Sequence, residues 1–333
     1  MREKIRVAIN GFGRIGRMCY RNLCNDERVD IVAINDLADA ATLVHLLRYD
    51  SIHGRFPGSA ILEGERLVTA QQSSVFTREK NPELLPWKAL KVDIVIESSG
   101  HFTSAQDART HVLAGASKVL ITAPGSGGVK TIVPGVNSDQ VSLEDVIISN
   151  ASCTTNCLAP MVKVLHEEFG ILKGYITTIH AYTADQRLHD APHKDLRRAR
   201  AAAISMIPTT TGAARAVGDV FPSLAGKLDG VAVRVPVPDG SITDLVALVS
   251  RNTSAKEVND AIHKASMNSM KGIIQYITDP IVSIDVVGNT HSCIFDSSLT
   301  AVNENLVKVM AWYDNEAGYS QRVCDLIFLL FKS

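Results

Sequence analysis

Over the first part of the chain, apolar residues come in short, nearly unbroken runs. Ile5–Ile9, Val29–Ile34, Val92–Glu97, Lys118–Thr122 and Val146–Asn150 are rich in β-formers, and several end in small or turn residues. Runs of this kind predict strands buried on both faces, as in a parallel α/β sheet. Ser51 to Glu79 is less regular and carries Gly54, Pro57, Gly58 and Gly64, so it reads as a small antiparallel insertion. Further on, the period changes. Leu158, Met161, Val162, Leu165 and Phe169 recur at helical spacing, and Gly170 stops the run. Gly174–Ile179, Val231–Pro236 and Leu306–Tyr313 read as strands. The alternating runs Asp244–Val249 and Ile281–Val287 predict antiparallel strands, and a last helix is predicted over 319–331.

The first apolar run leads into Asn10-Gly11-Phe12-Gly13-Arg14-Ile15-Gly16, a strand, a glycine turn and a helix start in that order. Gly11 permits the tight turn, Gly13 lets backbone approach a pyrophosphate, and Gly16 allows helix and strand to pack closely. The helix N-terminus favours the phosphates. Asp36 follows the second strand, 20 residues past Gly16. A carboxylate there accepts from ribose hydroxyls and repels a 2′-phosphate, so NAD is expected rather than NADP. Ligands bind outside the carboxyl ends of such strands, which places Ser98, Ser99, Gly100 and Thr122 near the cofactor.

The second half supplies candidate chemistry. Ser152 is a natural cap for the helix that begins after Val146–Asn150, so Cys153 falls in its first turn. Unpaired N–H groups and the helix dipole there are expected to push the thiol toward the reactive thiolate. His180 stands at the end of the Gly174–Ile179 strand. Tyr182 to Arg200 follows as a long polar stretch bearing Thr183, Asp185, Arg187, His193, Lys194, Arg197, Arg198 and Arg200. Loops of such length in compact domains are functional or disordered. Its arginines suit a small phosphorylated ligand. Thr209-Thr210-Thr211-Gly212 precedes Ala213-Ala214, either an anion cradle or an ordinary helix cap. Arg234 sits inside an apolar run and needs a partner, either an anionic substrate or an internal salt bridge. Together these suggest oxidation of an aldehyde through a covalent thioester.

With 333 residues, two domains are the prior. A formal net charge of −1 argues against wholesale binding to nucleic acid or an anionic membrane. No apolar stretch approaches the roughly 20 residues that span a bilayer. Met1–Lys4 shows no signal-peptide pattern, so a cytoplasmic location is expected. Six cysteines do not form a disulfide framework in a chain this long. Cys19, Cys24, Cys293 and Cys324 read as reduced core residues. Cys153 and Cys157 alone make a poor zinc site, so no metal is expected.

INGFGRIGR at 9–17, HLLRYDSIHG at 45–54, SNASCTTNCLAP at 149–160, HAYTADQ at 180–186, PHKDLRRARAA at 192–202, PTTTGAA at 208–214, RVPVP at 234–238 and WYDNEAGYS at 312–320 are a specific set. On these motifs, from Ile5 to the C-terminus, the chain resembles the NAD-dependent, phosphorylating glyceraldehyde-3-phosphate dehydrogenase family of glycolysis. The resemblance implies an α/β fold, a Rossmann-type doubly wound parallel sheet plus an α+β catalytic domain with a mostly antiparallel sheet. It implies an NAD-binding domain over 1–151, with a helix at 316–333 packing back, and a catalytic domain over 152–315. Cys153 would be the nucleophile and His180 its base. Gly11, Gly13, Arg14, Ile15, Gly16, Asp36, Arg78, Thr122 and Asn315 would contact the cofactor, Asn315 at the nicotinamide amide. Thr183, Asp185 and Arg234 would hold the substrate phosphate. Ser152, Thr154, Thr211, Gly212 and Arg198 would hold the attacking inorganic phosphate. The family implies a homotetramer, with residues 182–204 forming an S-shaped loop. Erythrose-4-phosphate dehydrogenase and an NADP-using gluconeogenic isoform are the alternatives. The PTTTG cradle argues against the first, and Asp36 with Asp190-Ala191-Pro192 against the second.

Overall fold

The structure, a computed structural model, describes residues 4–332. Met1–Glu3, part of the Met1–Lys4 stretch read above, and Ser333, the last residue of the expected 316–333 segment, lie outside the described residues. The chain divides into two compact units. One comprises Met1–Ile132, Ser138–Ala151 and Ser320–Ser333, the other Val133–Asn137 and Ser152–Tyr319.

Among the described residues, the first unit is built on a nine-stranded sheet. Its parallel part runs Lys130–Thr131, Ile147–Ser149, Lys118–Ile121, Ile94–Glu97, Ile5–Asn10, Val29–Asn35, Ser73–Thr77. The strands Ile94–Glu97 and Lys118–Ile121 are buried at every position, which explains their unbroken apolar runs. Arg66–Thr69 and Ala60–Glu63 extend the sheet with antiparallel pairing, as the irregular stretch predicts. Strand order reverses at Ile5–Asn10, whose neighbours are Val29–Asn35 on one side and Ile94–Glu97 on the other. A ligand crevice belongs at such a switch point, and the glycine turn lies there.

The second unit holds a mostly antiparallel sheet. Its order is Ile207–Thr210, Leu228–Val235, Ile171–Ala181, Ser241–Val249, Leu306–Tyr313, Cys293–Asp296, Ile274–Ile277, with Ala301–Asn303 beside Leu306–Tyr313. Ile171–Ala181 pairs in parallel with Leu228–Val235, and Ile274–Ile277 in parallel with Cys293–Asp296. The helix Cys153–Phe169 packs on this sheet through fully buried Leu158, Met161, Val162 and Leu165. Sheet residues Tyr175, Val231 and Leu306 stay exposed.

Two sequence expectations shift. Ile281–Val287 is not a strand: Ser283–Val286 is a short 3₁₀ helix, and the Asp285 carboxylate accepts the Val282 N–H at 2.8 Å. That local bond competes with sheet pairing. The strand predicted at Gly174–Ile179 spans Ile171–Ala181, so His180 lies within it rather than after it.

Candidate active site

The nucleophile helix starts where it does because Ser152 caps it. Ser152 Oγ accepts the Thr155 N–H at 3.1 Å, and its backbone is extended. Ala151 just before it has φ +55°, a left-handed conformation that costs a non-glycine residue about 1–2 kcal/mol. Such strain accumulates at functional sites. Gly170 ends the helix with φ +68°. Cys153 is therefore held in the first turn, where N–H groups have no intrahelical partner.

Strand pairing brings His180 to it. His180 lies opposite Arg234 in the parallel register of Ile171–Ala181 and Leu228–Val235. The His180 Nε2 is 3.3 Å from Cys153 Sγ. On the other side of the ring, Nδ1 is 2.7 Å from the Ala181 carbonyl oxygen and 2.8 Å from Arg234 Nη1. Tyr313 supports the pair from below. Its hydroxyl bonds Thr154 Oγ1 at 2.9 Å and Thr178 Oγ1 at 2.8 Å, and its ring meets the His180 ring edge-on at 5.9 Å.

The electrostatics correct one expectation. Burial pushes the Cys153 thiol up, to about 11, against the opposing pull of the Arg234 charge. Burial, and then the same guanidinium, pushes His180 down to about 3. Burial thus opposes the charged form of both groups, against the helix terminus, which favours the thiolate. Desolvation of a charge at the nearly buried His180 and at Cys153 opposes a dipole contribution of typically 0.3–1 kcal/mol.

The expected anion residues fall into two connected groups. Arg198 Nη1 donates to Asp185 at 2.5 Å, and the Thr183 hydroxyl donates to the same carboxylate. Arg198 Nε also donates to Thr209 Oγ1 at 2.9 Å, so Thr209, rather than Thr211, touches this arginine. Thr211 Oγ1 accepts the Ala213 N–H at 3.2 Å, a local turn bond, while Gly212 is the N-cap of Ala213–Val220 and makes no side-chain cap bond. Thr154, expected at the attacking-phosphate position, has its hydroxyl turned to Tyr313. Arg234 donates to Ala181 O at 3.0 Å, yet its Nε is buried with no partner. No carboxylate bonds it among the described residues, which disfavours the internal salt bridge.

In the first unit, a cleft of about 790 Å³ is lined by Gly11, Gly13, Asp36, Asn81 and Ser99 among others. Gly11 has φ +90°, and a Cβ there would lie 2.5 Å from the Ser99 nitrogen. A Cβ on Gly13 would meet nothing within 4 Å, leaving open space beside the helix that starts at Arg14. That N-terminus has no side-chain cap, which suits a pyrophosphate. Asp36 accepts the Phe12 N–H at 2.7 Å and the Ala38 N–H at 2.9 Å, one on each oxygen, and keeps lone pairs for ribose hydroxyls. These residues fit a dinucleotide. Arg14 is paired with Asp50 at 2.5 Å, Arg78 donates to the Leu37 carbonyl at 2.6 Å, and the Thr122 hydroxyl donates to the Glu97 carbonyl at 3.1 Å. In the second unit Asn315 Oδ1 accepts from Ser241 Oγ at 2.7 Å.

Below the cleft lies a buried network that sequence reading missed. Glu97 accepts from Asn10 Nδ2 at 2.6 Å and the Ser99 N–H at 2.8 Å, and meets His111 Nε2 at 2.9 Å. Trp87 Nε1 donates to His111 Nδ1 at 3.0 Å, which fixes the histidine proton on Nε2. The available signal was a polar residue closing each apolar run: Asn10, Asn35 and Glu97. All six cysteines carry free thiols, five of them buried. Cys157 sits one turn past Cys153 with Sγ 3.8 Å from the Ala311 carbonyl oxygen.

Residues 5–105 match the family described as glyceraldehyde 3-phosphate dehydrogenase, NAD binding domain, and residues 152–315 its C-terminal domain. The chain is 52% identical over 337 residues to glyceraldehyde-3-phosphate dehydrogenase of Mycolicibacterium smegmatis, covering 99% of each chain. It is 53% identical to that of Mycobacterium avium over 336 residues, again covering 99% of each. Over 325 residues it is 55% identical to glyceraldehyde-3-phosphate dehydrogenase 2 of Streptomyces avermitilis, 97% of each chain.

Proposed function

The chain belongs to the glyceraldehyde-3-phosphate dehydrogenase family of NAD-dependent enzymes, and on that premise we propose that it performs the phosphorylating, glycolytic reaction through a thioester on Cys153. The observation that carries this reading is the 3.3 Å approach of Cys153 Sγ and His180 Nε2 at a helix N-terminus, beside an arginine without a carboxylate partner.

Cys153 Sγ attacks the carbonyl carbon of glyceraldehyde 3-phosphate, and its proton passes to His180 Nε2. The backbone N–H of Cys153 and the protonated ring hold the resulting oxyanion. Arg234, Thr183 and Asp185 orient the substrate phosphate. NAD, which the Gly11–Gly16 turn and Asp36 would hold, would supply the hydride acceptor, and the substrate carbon, once oxidised, would remain on Cys153 as an acyl thioester. Inorganic phosphate attacks the acyl carbon; Arg198, Ser152 and Gly212 hold it, and Thr154 and Thr211 join them only by releasing their present bonds to Tyr313 and to the Ala213 N–H. The thiolate leaves and takes its proton back from His180, the proton of the attacking hydrogen phosphate goes to solvent, and 1,3-bisphosphoglycerate departs.

The homotetramer rests on the family resemblance; Leu188, Leu196, Ile204 and Met206, in and just after the 182–204 loop, are 72–83% exposed and are residues that an interface there would cover. Six free thiols support a reducing cytoplasmic setting. The test is NADH formation with and without inorganic phosphate. Strong phosphate dependence with glyceraldehyde 3-phosphate is expected. Equal rates with erythrose 4-phosphate and no phosphate dependence would overturn the reading in favour of the erythrose enzyme.

A further inference from the structure

The side chain of Glu97 is closed off from solvent, as is the His111 ring beside it. Its partners are all neutral donors. Oε1 accepts the Ser99 N–H at 2.8 Å and the Ser99 hydroxyl. Oε2 accepts from Asn10 Nδ2 at 2.6 Å and from His111 Nε2 at 2.9 Å. Trp87 Nε1 can only donate, so His111 Nδ1, 3.0 Å away, carries the lone pair and Nε2 carries the proton. Among the described residues no lysine or arginine bonds Glu97. A buried carboxylate held by neutral donors alone is costly, and a position that served packing only would favour an apolar side chain.

What this carboxylate reaches is the glycine turn. Oε1 fixes Ser99, whose backbone lies over Gly11 so closely that a Cβ there would come within 2.5 Å of the Ser99 nitrogen. Ser98 Oγ, between the two, donates to the Gly11 carbonyl at 2.6 Å. Oε2 fixes Asn10, the last residue before the turn. Asn10 Oδ1 accepts from Asn35 Nδ2 at 2.7 Å, and Asn35 Oδ1 accepts the Thr77 hydroxyl at 2.9 Å. One chain of hydrogen bonds thus crosses four neighbouring strands through their last residues, Glu97, Asn10, Asn35 and Thr77. His111 also meets the Phe102 ring edge-on at 5.9 Å. Asn10, Asn35, Ser99 and Phe102 line the cleft, and Glu97, His111 and Trp87 stand behind them.

We propose that Glu97 is a positioning residue for the dinucleotide, and that His111 and Trp87 set it from behind the cleft wall. The carboxylate answers four donors at once. A glutamine has one acceptor oxygen, and its amide group would turn N–H against N–H. Trp87 matters because it selects the His111 tautomer. Without that donor the ring proton can move to Nδ1, which turns a lone pair on Nε2 toward Glu97. Held this way, Ser99, Gly11 and Asn10 keep the binding geometry before the cofactor arrives, and binding has less ordering left to do. The network therefore acts on cofactor affinity rather than on the chemical step. The inference rests on the dinucleotide reading of this cleft given above.

The test uses the full chain, with calorimetric titration of NAD and of ADP-ribose, which lacks the nicotinamide, and steady-state kinetics. Glu97→Gln is expected to weaken both ligands about tenfold, the effect of one mispaired buried donor. KM for NAD should rise by the same factor, with kcat not lowered and KM for the aldehyde unchanged. Trp87→Phe keeps an aromatic ring but removes the donor to His111. It is expected to weaken both ligands by a smaller factor, and it carries the test if Glu97→Gln does not fold. Ile94→Val trims a fully buried side chain of the same strand outside the network. It is expected to lower Tm and leave both affinities unchanged. Wild-type affinity in both network variants overturns the positioning role and leaves the cofactor reading standing. A loss of affinity in Ile94→Val equal to theirs also overturns it, since lost stability would then explain all three. No binding of either ligand to the wild-type protein overturns the dinucleotide reading and the inference with it.

Discussion

On the proposed reading Cys153 and His180 act only as a pair, because desolvation favours the neutral form of each. Replacing His180 with Asn is expected to lower kcat by about 10²–10⁴, the usual worth of a positioned base, with little change in KM for NAD. Steady-state kinetics checks it. Asp36 is expected to set cofactor choice by charge. Asp36→Ala should narrow the gap between NAD and NADP, read as the ratio of kcat/KM for the two. Asp239 makes a prediction about stability. Burial, then the Asp314 and Glu316 carboxylates, raise its carboxyl from 3.8 to about 9. The folded state therefore holds a proton that the unfolded chain gives up. Stability from this group is complete below 3.8 and declines as pH rises to about 9, beyond which it is level. Asp239→Asn, which stays neutral, should flatten that decline, and thermal melts across this range show whether it does. The candidate residues were legible in sequence because their signals are local: a cap, a glycine turn, an acid after a strand. Tyr313 was not, since its partners Thr154 and Thr178 are 159 and 135 residues away.

Elements position these residues through their ends. The nucleophile helix depends on Ser152, so Ser152→Ala should cost about 1 kcal/mol of stability, measured by denaturant unfolding. The strand end at Glu97 depends on a carboxylate that meets donors from Asn10, Ser99 and His111. Glu97→Gln turns one acceptor into a donor against donors and should cost about 1–3 kcal/mol. Because Ser99 backbone abuts Gly11, the same change should weaken NAD binding, read by a fluorescence titration, without altering alkylation of Cys153. Element type was legible where the apolar period was strong. Five parallel strands and the Cys153–Phe169 helix follow directly from it. Ile281–Val287 misled because its alternation is that of a strand, while Asp285 caps a 3₁₀ turn from within it. Short strands such as Lys130–Thr131 carry no periodic signal at all and exist only through pairing with Ile147–Ser149.

At the scale of the whole molecule, two units supply two different jobs. One carries a glycine turn, an acidic residue and an open cleft, the fit for a dinucleotide. The other carries thiol, imidazole and guanidinium in mutual reach. The homotetramer proposed from the family resemblance predicts a mass in light scattering four times that of the 36.0 kDa chain. The central claim is the covalent one: oxidation occurs while the substrate is bonded to Cys153. It is tested most directly by mixing the protein with NAD and glyceraldehyde 3-phosphate without inorganic phosphate, then measuring intact and peptide masses. The account predicts an acyl adduct on the Cys153 peptide, formed with stoichiometric NADH and discharged when phosphate is added. NADH formation with no adduct on Cys153, or an adduct that phosphate does not discharge, would contradict it.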